Sequence, residues 1–266
     1  MKCKYMAFAF VLFGGRAAAG EEWHTQVDLV TVATTAAPGQ TLWVGVRLRT
    51  ADGWHVFWAN PGEVGLTTKV QWLSPPDAAT APIRWPWPLR ILSDGWVAHT
   101  LPEDATLWTP LRLADAVPMG AGWTVRARVE WLECRESCQA GSAEPSLFVV
   151  TDPRAPQADP PVPPEEKAEP CRVRRVGKKN WELIFAPERG GQSNVPVVFF
   201  PRSLGWAASA PATPRVSDEF RVLSIGRPPG ALPKRLQGLL LGPAGWRGPG
   251  RSRGAWVDVP MPETDD

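Results

Sequence analysis

The sequence has little net charge and no long hydrophobic segment after its first residues. Its 29 lysines and arginines nearly balance 27 aspartates and glutamates, which leaves a formal charge of +2. This balance offers no basic surface for a phosphate backbone, so we expect no nucleic-acid partner. The longest late apolar run, around Leu239–Leu241, is far shorter than the roughly 20 residues that span a bilayer. We therefore expect no membrane span after the N-terminal segment.

Potential metal ligands are also scarce. The 266 residues include 3 histidines and 4 cysteines. Imidazole and thiolate are good ligands for zinc and copper, but His24, His55 and His99 are scattered along the chain. The sequence therefore predicts neither a metal site nor a cofactor.

The N-terminal residues have the pattern of a secretory signal peptide. A basic start, Met1–Lys4, precedes the apolar stretch Tyr5–Gly15 and the small-residue site Ala17–Gly20. This order predicts a signal peptide, residues 1–19, that is removed after cleavage, with an uncleaved anchor as the alternative. Export would place the chain in an oxidising compartment, where cysteines are paired unless a partner reduces them.

Proline and glycine, by contrast, are abundant, with 30 and 24 residues. They separate short segments in which apolar and polar residues alternate, most clearly Thr41–Arg49 and Thr124–Trp131, and this pattern predicts an all-β protein. Residues 152–170 hold seven prolines and no aromatic residue, which is typical of a semi-rigid, solvated linker. We therefore predict two β-sandwich domains, residues 20–151 and 171–266, joined by this linker.

Two cysteines, Cys134 and Cys138, follow the predicted strand Thr124–Trp131 at the start of a polar turn. A disulfide across three intervening residues closes a very short loop and contributes about 2 kcal/mol, against about 4 or more for a loop of about 100 residues. A reversible dithiol benefits from this spacing, because each sulfur can resolve a mixed disulfide formed by the other. The spacing indicates a redox site, with a small structural disulfide or a metal site as alternatives.

A third cysteine, Cys171, lies beyond the proline-rich stretch. We expect it to be a buried, unreactive thiol at the start of a strand. Disulfide pairing between two chains is the alternative.

Three motifs together resemble a known family. They are the stretches Gly53–Leu66, with the pattern W-x-x-x-W-x-N-P-G-x-x-G-L, Trp85–Arg90 and Val129–Cys138. In order and spacing they are similar to the periplasmic N-terminal region of the DsbD/ScsB thiol:disulfide interchange proteins. Phe199–Pro201 and Leu236–Leu239 resemble the second immunoglobulin-like domain of the ScsB branch.

The resemblance implies two immunoglobulin-like domains and a periplasmic protein-disulfide reductase or electron-transfer module. Its cysteine pair would take electrons from a membrane-embedded thiol reductase and pass them to an oxidised thioredoxin-like protein. By the family's pattern, Cys138 would attack or be attacked, and Cys134 would resolve the mixed disulfide. The ScsB branch is associated with copper tolerance, through protection of thiols from copper oxidation.

The sequence departs from the family in two respects. Full-length members continue into a multi-helix membrane domain and a thioredoxin-like domain, so this chain is expected to use a separate electron donor. The family's aromatic Y-G-Y-like stretch is replaced by Ala98–Pro102. Shielding of the sulfurs would then fall to tryptophan, phenylalanine or His99.

The charged residues beside the cysteines allow two interpretations. Glu133 and Glu136, if close to the sulfurs, would raise the pKa of the thiols, and Arg135 would oppose them. Alternatively, all three belong to a solvated turn.

A different class of protein is the runner-up. It is a secreted, non-enzymatic β-sandwich that binds a protein, a sugar or copper, with a structural disulfide. The 15 tryptophans could form a sugar-stacking surface, but most stand at strand positions and are expected to fill the core or cover sheet edges.

Overall fold

The computed structural model describes most of the chain as strands and turns, without a helix. The described residues are 23–74, 79–93, 95–113, 115, 122–159, 161, 171–177, 180–186, 190–192, 194–208, 210–217, 220–225, 232–248 and 251–262. Within these ranges nothing forms a helix of the length and apolarity needed to cross a bilayer. The predicted all-β class is confirmed, and the predicted signal peptide lies outside the described residues.

Among the described residues between 25 and 151, twelve strands form the first sandwich. They are β1 (Thr25–Thr31), β2 (Thr35–Ala36), β3 (Thr41–Thr50), β4 (His55–Gly62), β5 (Lys69–Ser74), β6 (Ala79–Thr80), β7 (Leu89–Ser93), β8 (Trp96–Thr100), β9 (Asp104–Arg112), β10 (Gly122–Cys134), β11 (Cys138–Ala143) and β12 (Ser146–Thr151). One sheet has the order β1-β3-β9-β6, and the other follows β2-β12-β10-β4-β8-β7, with β5 and β11 paired to β10.

Alternation along the two central strands forms the core between these sheets. In the middle of β10, Val125, Ala127 and Val129 are buried, and Arg126 and Arg128 between them are exposed. They pack with buried leucines and valines of β3 and β9 in one apolar cluster. Because side chains of a strand alternate between its faces, this period-2 pattern fixes which face of each sheet is inside.

In the part of the second half that the structure describes, seven strands form the second sandwich. They are β13 (Cys171–Val176), β14 (Asn180–Phe185), β15 (Val198–Pro201), β16 (Arg215–Ser217), β17 (Phe220–Ile225), β18 (Arg235–Leu241) and β19 (Gly254–Pro260). The sheets β13-β14-β17-β16 and β15-β18-β19 enclose a core of their own that includes Trp181, Leu183, Leu223 and Leu240.

The two sandwiches are in contact, because the first core continues into the second half of the chain. Phe200, Ala208 and Leu239 belong to the same buried cluster as the first sandwich's residues. The ring of Phe200 lies 6.3 Å from that of Trp58, edge to face. The second sandwich is therefore packed against the first.

Two proline-rich stretches, one around Trp87 and the predicted linker that begins at residue 152, lie against folded parts of the protein. Trp87 is 38% exposed and stacks under Arg253 of the second sandwich, so it covers a junction between the two halves. Of the predicted linker, residues 152–159 and 161 are described. Ala155 is buried and its carbonyl accepts a hydrogen bond from Gln40, so the stretch begins against the first sandwich. The domain boundaries themselves stay a prediction.

Candidate functional site

Cys134 and Cys138 face each other at the end of a β-hairpin. Cys134 is the last residue of β10 and Cys138 the first of β11, and the two are directly paired in the antiparallel register. Their sulfurs form a disulfide, with the Cα atoms 4.1 Å apart. A turn, Arg135–Ser137, connects the strands, and the N–H of Arg135 donates to the carbonyl of Ser137. We call β10, this turn and β11 the cysteine hairpin.

The two cysteines differ in exposure. Cys138 is exposed, whereas Cys134 is only 4% exposed. Cys134 packs against what we call the apolar wall. The wall consists of Phe57, Ala98, Val64, Ile91 and Leu132. A partner can therefore approach the disulfide from the side of Cys138.

The N-P-G-x-x-G motif builds part of the apolar wall. Gly62 and Gly65 both have positive φ angles, 89° and 101°, which favour glycine. A Cβ atom at Gly65 would lie 2.2 Å from the ring of Phe57, so only glycine lets this loop lie on that ring. Asn-Pro-Gly is typical of a turn, and the sequence predicts one here, but Asn60, Pro61 and Gly62 all belong to β4.

Glu133 is the buried charge of the site. Its side chain has no exposed surface, and it accepts hydrogen bonds from Gln139 Nε2 at 2.6 Å, Trp131 Nε1 at 3.0 Å and the backbone N–H of His24 at 2.9 Å. Burial would raise the pKa of this carboxyl, but the donors outweigh it and hold the pKa at about 2. Glu133 is therefore ionised at neutral pH.

The three charged residues beside the cysteines, Glu133, Arg135 and Glu136, lie in different environments. Arg135 and Glu136 are exposed, in agreement with a solvated turn. For Glu133 the solvated interpretation is wrong. It lies on the opposite face of β10 from Cys134, because successive side chains of a strand alternate.

The three histidines lie in three different environments. His24 stacks on Trp54 with ring centroids 3.8 Å apart, and its Nδ1 lies 3.2 Å from Glu133 Oε1. His55 is paired with Cys134 across β4 and β10, and burial lowers its pKa. Among the described residues, no three His, Cys, Asp or Glu side chains form a group that could hold a metal ion.

His99 is fully buried and has a defined tautomer. Its Nδ1 donates to the carbonyl of Asn60 at 2.8 Å, and its Nε2 accepts from the N–H of Ala208, also at 2.8 Å. Burial, with a smaller contribution from the charge of Arg90, lowers its pKa to about 4 despite the bond to Asn60. Of the side chains expected to shield the sulfurs (tryptophan, phenylalanine or His99), a phenylalanine, Phe57, packs against Cys134. His99 does not, because its neighbour Ala98 faces Cys134 and His99 faces the second sandwich.

Cys171 lies far from this site in the fold. It is the first residue of β13, an edge strand of the second sandwich, and is not disulfide bonded. The start of a strand was predicted, but full burial was wrong, since the residue is half-buried.

Sequence reasoning missed most of the apolar wall. Phe57 lies in a segment predicted to be a strand, but only the pairing of β4 with β10 shows that it faces Cys134. Ile91 and Ala98 reach the site through the β7–β8 hairpin, in which they are directly paired. The alternation of apolar and polar residues in these short strands was the sequence signal that could have identified the residues of the apolar wall.

The comparisons with known proteins agree with this geometry. The family described as thiol:disulfide interchange protein DsbD, N-terminal, matches residues 26–149. The crystal structure of the N-terminal periplasmic domain of ScsB from Proteus mirabilis is similar, with a TM-score of 0.55, 14% sequence identity, and coverage of 94% of this chain and 98% of that one. No curated protein sequence matches the chain. At this identity the structural similarity shows a shared fold across both sandwiches.

Proposed function

Because residues 26–149 match the model of the DsbD N-terminal family, we propose that the protein performs thiol:disulfide interchange in the periplasm through Cys134 and Cys138. The reduced pair would pass two electrons to an oxidised thioredoxin-like protein. A membrane-embedded thiol reductase would then reduce the pair again. The observation that carries this proposal is the asymmetric disulfide, with Cys138 exposed and Cys134 buried, at the end of a hairpin.

The asymmetry supports different roles for the two sulfurs. The Cys138 thiolate attacks the acceptor's disulfide, so that a mixed disulfide forms and one acceptor sulfur leaves as a thiolate. The Cys134 thiol then loses its proton and attacks the sulfur of Cys138. This step closes the Cys134–Cys138 bond and releases the acceptor's second thiolate. Two electrons and, after protonation of the leaving thiolates, two protons have reached the acceptor.

A purely structural disulfide is the weaker interpretation. The two strands are already held by six directly paired residues from Val129 to Cys134. A bond across three intervening residues adds little constraint to the unfolded chain. The hairpin therefore has little need of this bond for its stability.

The reduction potential of the pair tests the proposal. We expect a value between about −180 and −270 mV, the range of working exchange proteins, measured by glutathione titration with mass-spectrometric thiol counting. A pair that stays oxidised below about −300 mV would instead be structural, and the protein would be a binding module.

A trapping experiment tests the roles of the sulfurs. Cys134→Ser should accumulate a mixed disulfide between Cys138 and an oxidised thioredoxin-like protein, because the resolving thiol is absent. Cys138→Ser is the matched control and should accumulate none. Equal trapping by both variants would contradict the assignment.

A further inference from the structure

Strands β4 and β8 separate Cys134 from the second sandwich, and each strand contacts both. On β4, Phe57 packs against Cys134, whereas the next residue, Trp58, packs against Phe200. On β8, Ala98 packs against Cys134 and His99 accepts from the N–H of Ala208. This alternation means that one face of the layer forms the apolar wall and the other meets residues 200–208.

The second sandwich holds this layer by hydrogen bonds as well as by packing. The Nδ2 of Asn60 donates to the carbonyls of Pro201 at 2.7 Å and of Trp206 at 2.8 Å. The Nε of Arg90, on β7, donates to the carbonyl of Ala208 at 3.3 Å. Asn60 and His99 are fully buried, so water cannot replace these bonds without an opening of the junction.

His99 is the central link of this junction. One ring nitrogen binds Asn60 of β4 and the other binds Ala208 of the second sandwich. The ring therefore connects β4, β8 and the second sandwich at one point. The ring also lies 5.2 Å from that of Phe200, which fixes its orientation.

We propose that His99 is a positioning residue for the disulfide, through which the second sandwich holds the apolar wall against Cys134 and so limits attack on the Cys134–Cys138 bond. The proposal deepens the proposed function, because it assigns the second sandwich a role in controlling exchange. It does not require a biological partner for its test. A small thiol that attacks the exposed Cys138 sulfur expels Cys134 as a thiolate, which the apolar wall keeps from water, and a thiol that attacks Cys134 must pass the wall itself.

Two substitutions at His99 separate its two hydrogen bonds. His99→Asn places an amide near the position of Nδ1, so the bond to Asn60 is retained and the bond to Ala208 is lost. His99→Gln places an amide oxygen near the position of Nε2 and retains the bond to Ala208. We expect His99→Asn to increase the second-order rate constant for reduction by dithiothreitol about tenfold, the factor that one buried hydrogen bond corresponds to. His99→Gln should increase it less.

A control separates positioning from loss of stability. Leu183→Ala removes a fully buried side chain from the core of the second sandwich without touching the junction residues named above. We expect this variant to be less stable but to be reduced within about twofold of the wild-type rate. The rate is measured by thiol release at neutral pH, where circular dichroism shows each variant folded. The equilibrium constant with glutathione, measured in parallel, should change less than the rate.

Two outcomes would overturn the proposal. One is an unchanged rate for folded His99→Asn. The other is an equal increase for Leu183→Ala, which would mean that general destabilisation is the cause. Both are distinct from failure of the proposed function, because the rate with a small thiol is defined even if no protein partner exchanges with the pair.

Discussion

Glu133 and Glu182 are both buried carboxylates on antiparallel strands, but the two sandwiches stabilise them by different means. Glu133 accepts hydrogen bonds from the uncharged groups of Trp131 and Gln139 and from a backbone N–H. Glu182, 7% exposed, pairs with Arg174 and Arg215, whose side chains are 60% and 69% exposed. The first sandwich therefore stabilises a buried charge by fixed dipoles, and the second by guanidinium groups that also contact water.

This difference has a consequence for each carboxylate's neighbours. Exposed guanidinium groups can turn to solvent if their carboxylate is lost. The indole N–H of Trp131, which donates to Glu133, cannot, because Trp131 is packed into the core. We infer that the region beside the cysteines is rigid and intolerant of change, whereas the charged cluster of the second sandwich is adaptable.

Glu133→Ala is expected to have the largest effect on stability. It leaves the buried indole N–H of Trp131 without its acceptor, which costs about 1–3 kcal/mol, and it removes one acceptor of the half-buried Gln139 amide. With the lost backbone contact to His24, we expect the free energy of unfolding to fall by about 3–5 kcal/mol. Urea unfolding followed by tryptophan fluorescence measures this change.

Glu182→Ala is the matched control for that prediction. Its arginines regain water, so we expect a loss of about 1 kcal/mol. If Glu182→Ala were as costly as Glu133→Ala, the distinction between dipole and ion-pair stabilisation would be wrong.

Acid separates the contributions of two buried titratable groups of the first sandwich, His99 and Glu133. The pKa of His99 is lowered to about 4, so the unfolded chain binds a proton at this position more readily than the folded chain. The stability from neutral His99 is complete above pH 6.5 and is lost as the pH falls from 6.5 to about 4, by about 3 kcal/mol in all. The pKa of Glu133 is also lowered, from 4.5 to about 2, and its contribution is lost between these two values as the pH falls further.

The two steps can be assigned by substitution. His99→Gln should flatten the dependence of unfolding free energy on pH between 6.5 and 4, and Glu133→Gln should flatten the lower step. The measurement is urea unfolding at a series of pH values. A wild-type protein whose stability is constant from pH 7 to pH 4 would contradict the burial of a neutral His99.

The strands that form the site could be predicted because their evidence is local. Alternation in Thr124–Trp131 is a property of adjacent residues, and it predicted β10, although the strand continues past the predicted end to Cys134. The burial of Glu133 could not be predicted in this way. One of its donors, His24, is 109 residues away in sequence, so only the tertiary fold brings the two together.

Contacts between residues distant in sequence also explain why the role of Asn60, in the N-P-G motif, could not be predicted. Glycine and proline after Asn60 are typical of a turn, and the local pattern alone favours one. The side chain of Asn60 instead binds carbonyls 141 and 146 residues further along the chain. Its role in the junction depends on contacts that no periodicity within the motif encodes.

Substitution of Cys171 is expected to have the smallest effect on stability. It extends the comparison of the two sandwiches to their cysteines. Cys134 and Cys138 are paired across a hairpin, whereas Cys171 is half-buried on an edge strand and not disulfide bonded. Cys171→Ser should change the free energy of unfolding by less than about 0.5 kcal/mol and leave the reduction potential of the pair unchanged. In protein that begins at residue 20 and therefore lacks Cys3, thiol counting under denaturing conditions should find one thiol in the oxidised wild type and none in the variant. A disulfide-linked dimer that disappears in Cys171→Ser would show instead that this cysteine pairs between chains, and the redox chemistry would then not be confined to the first sandwich.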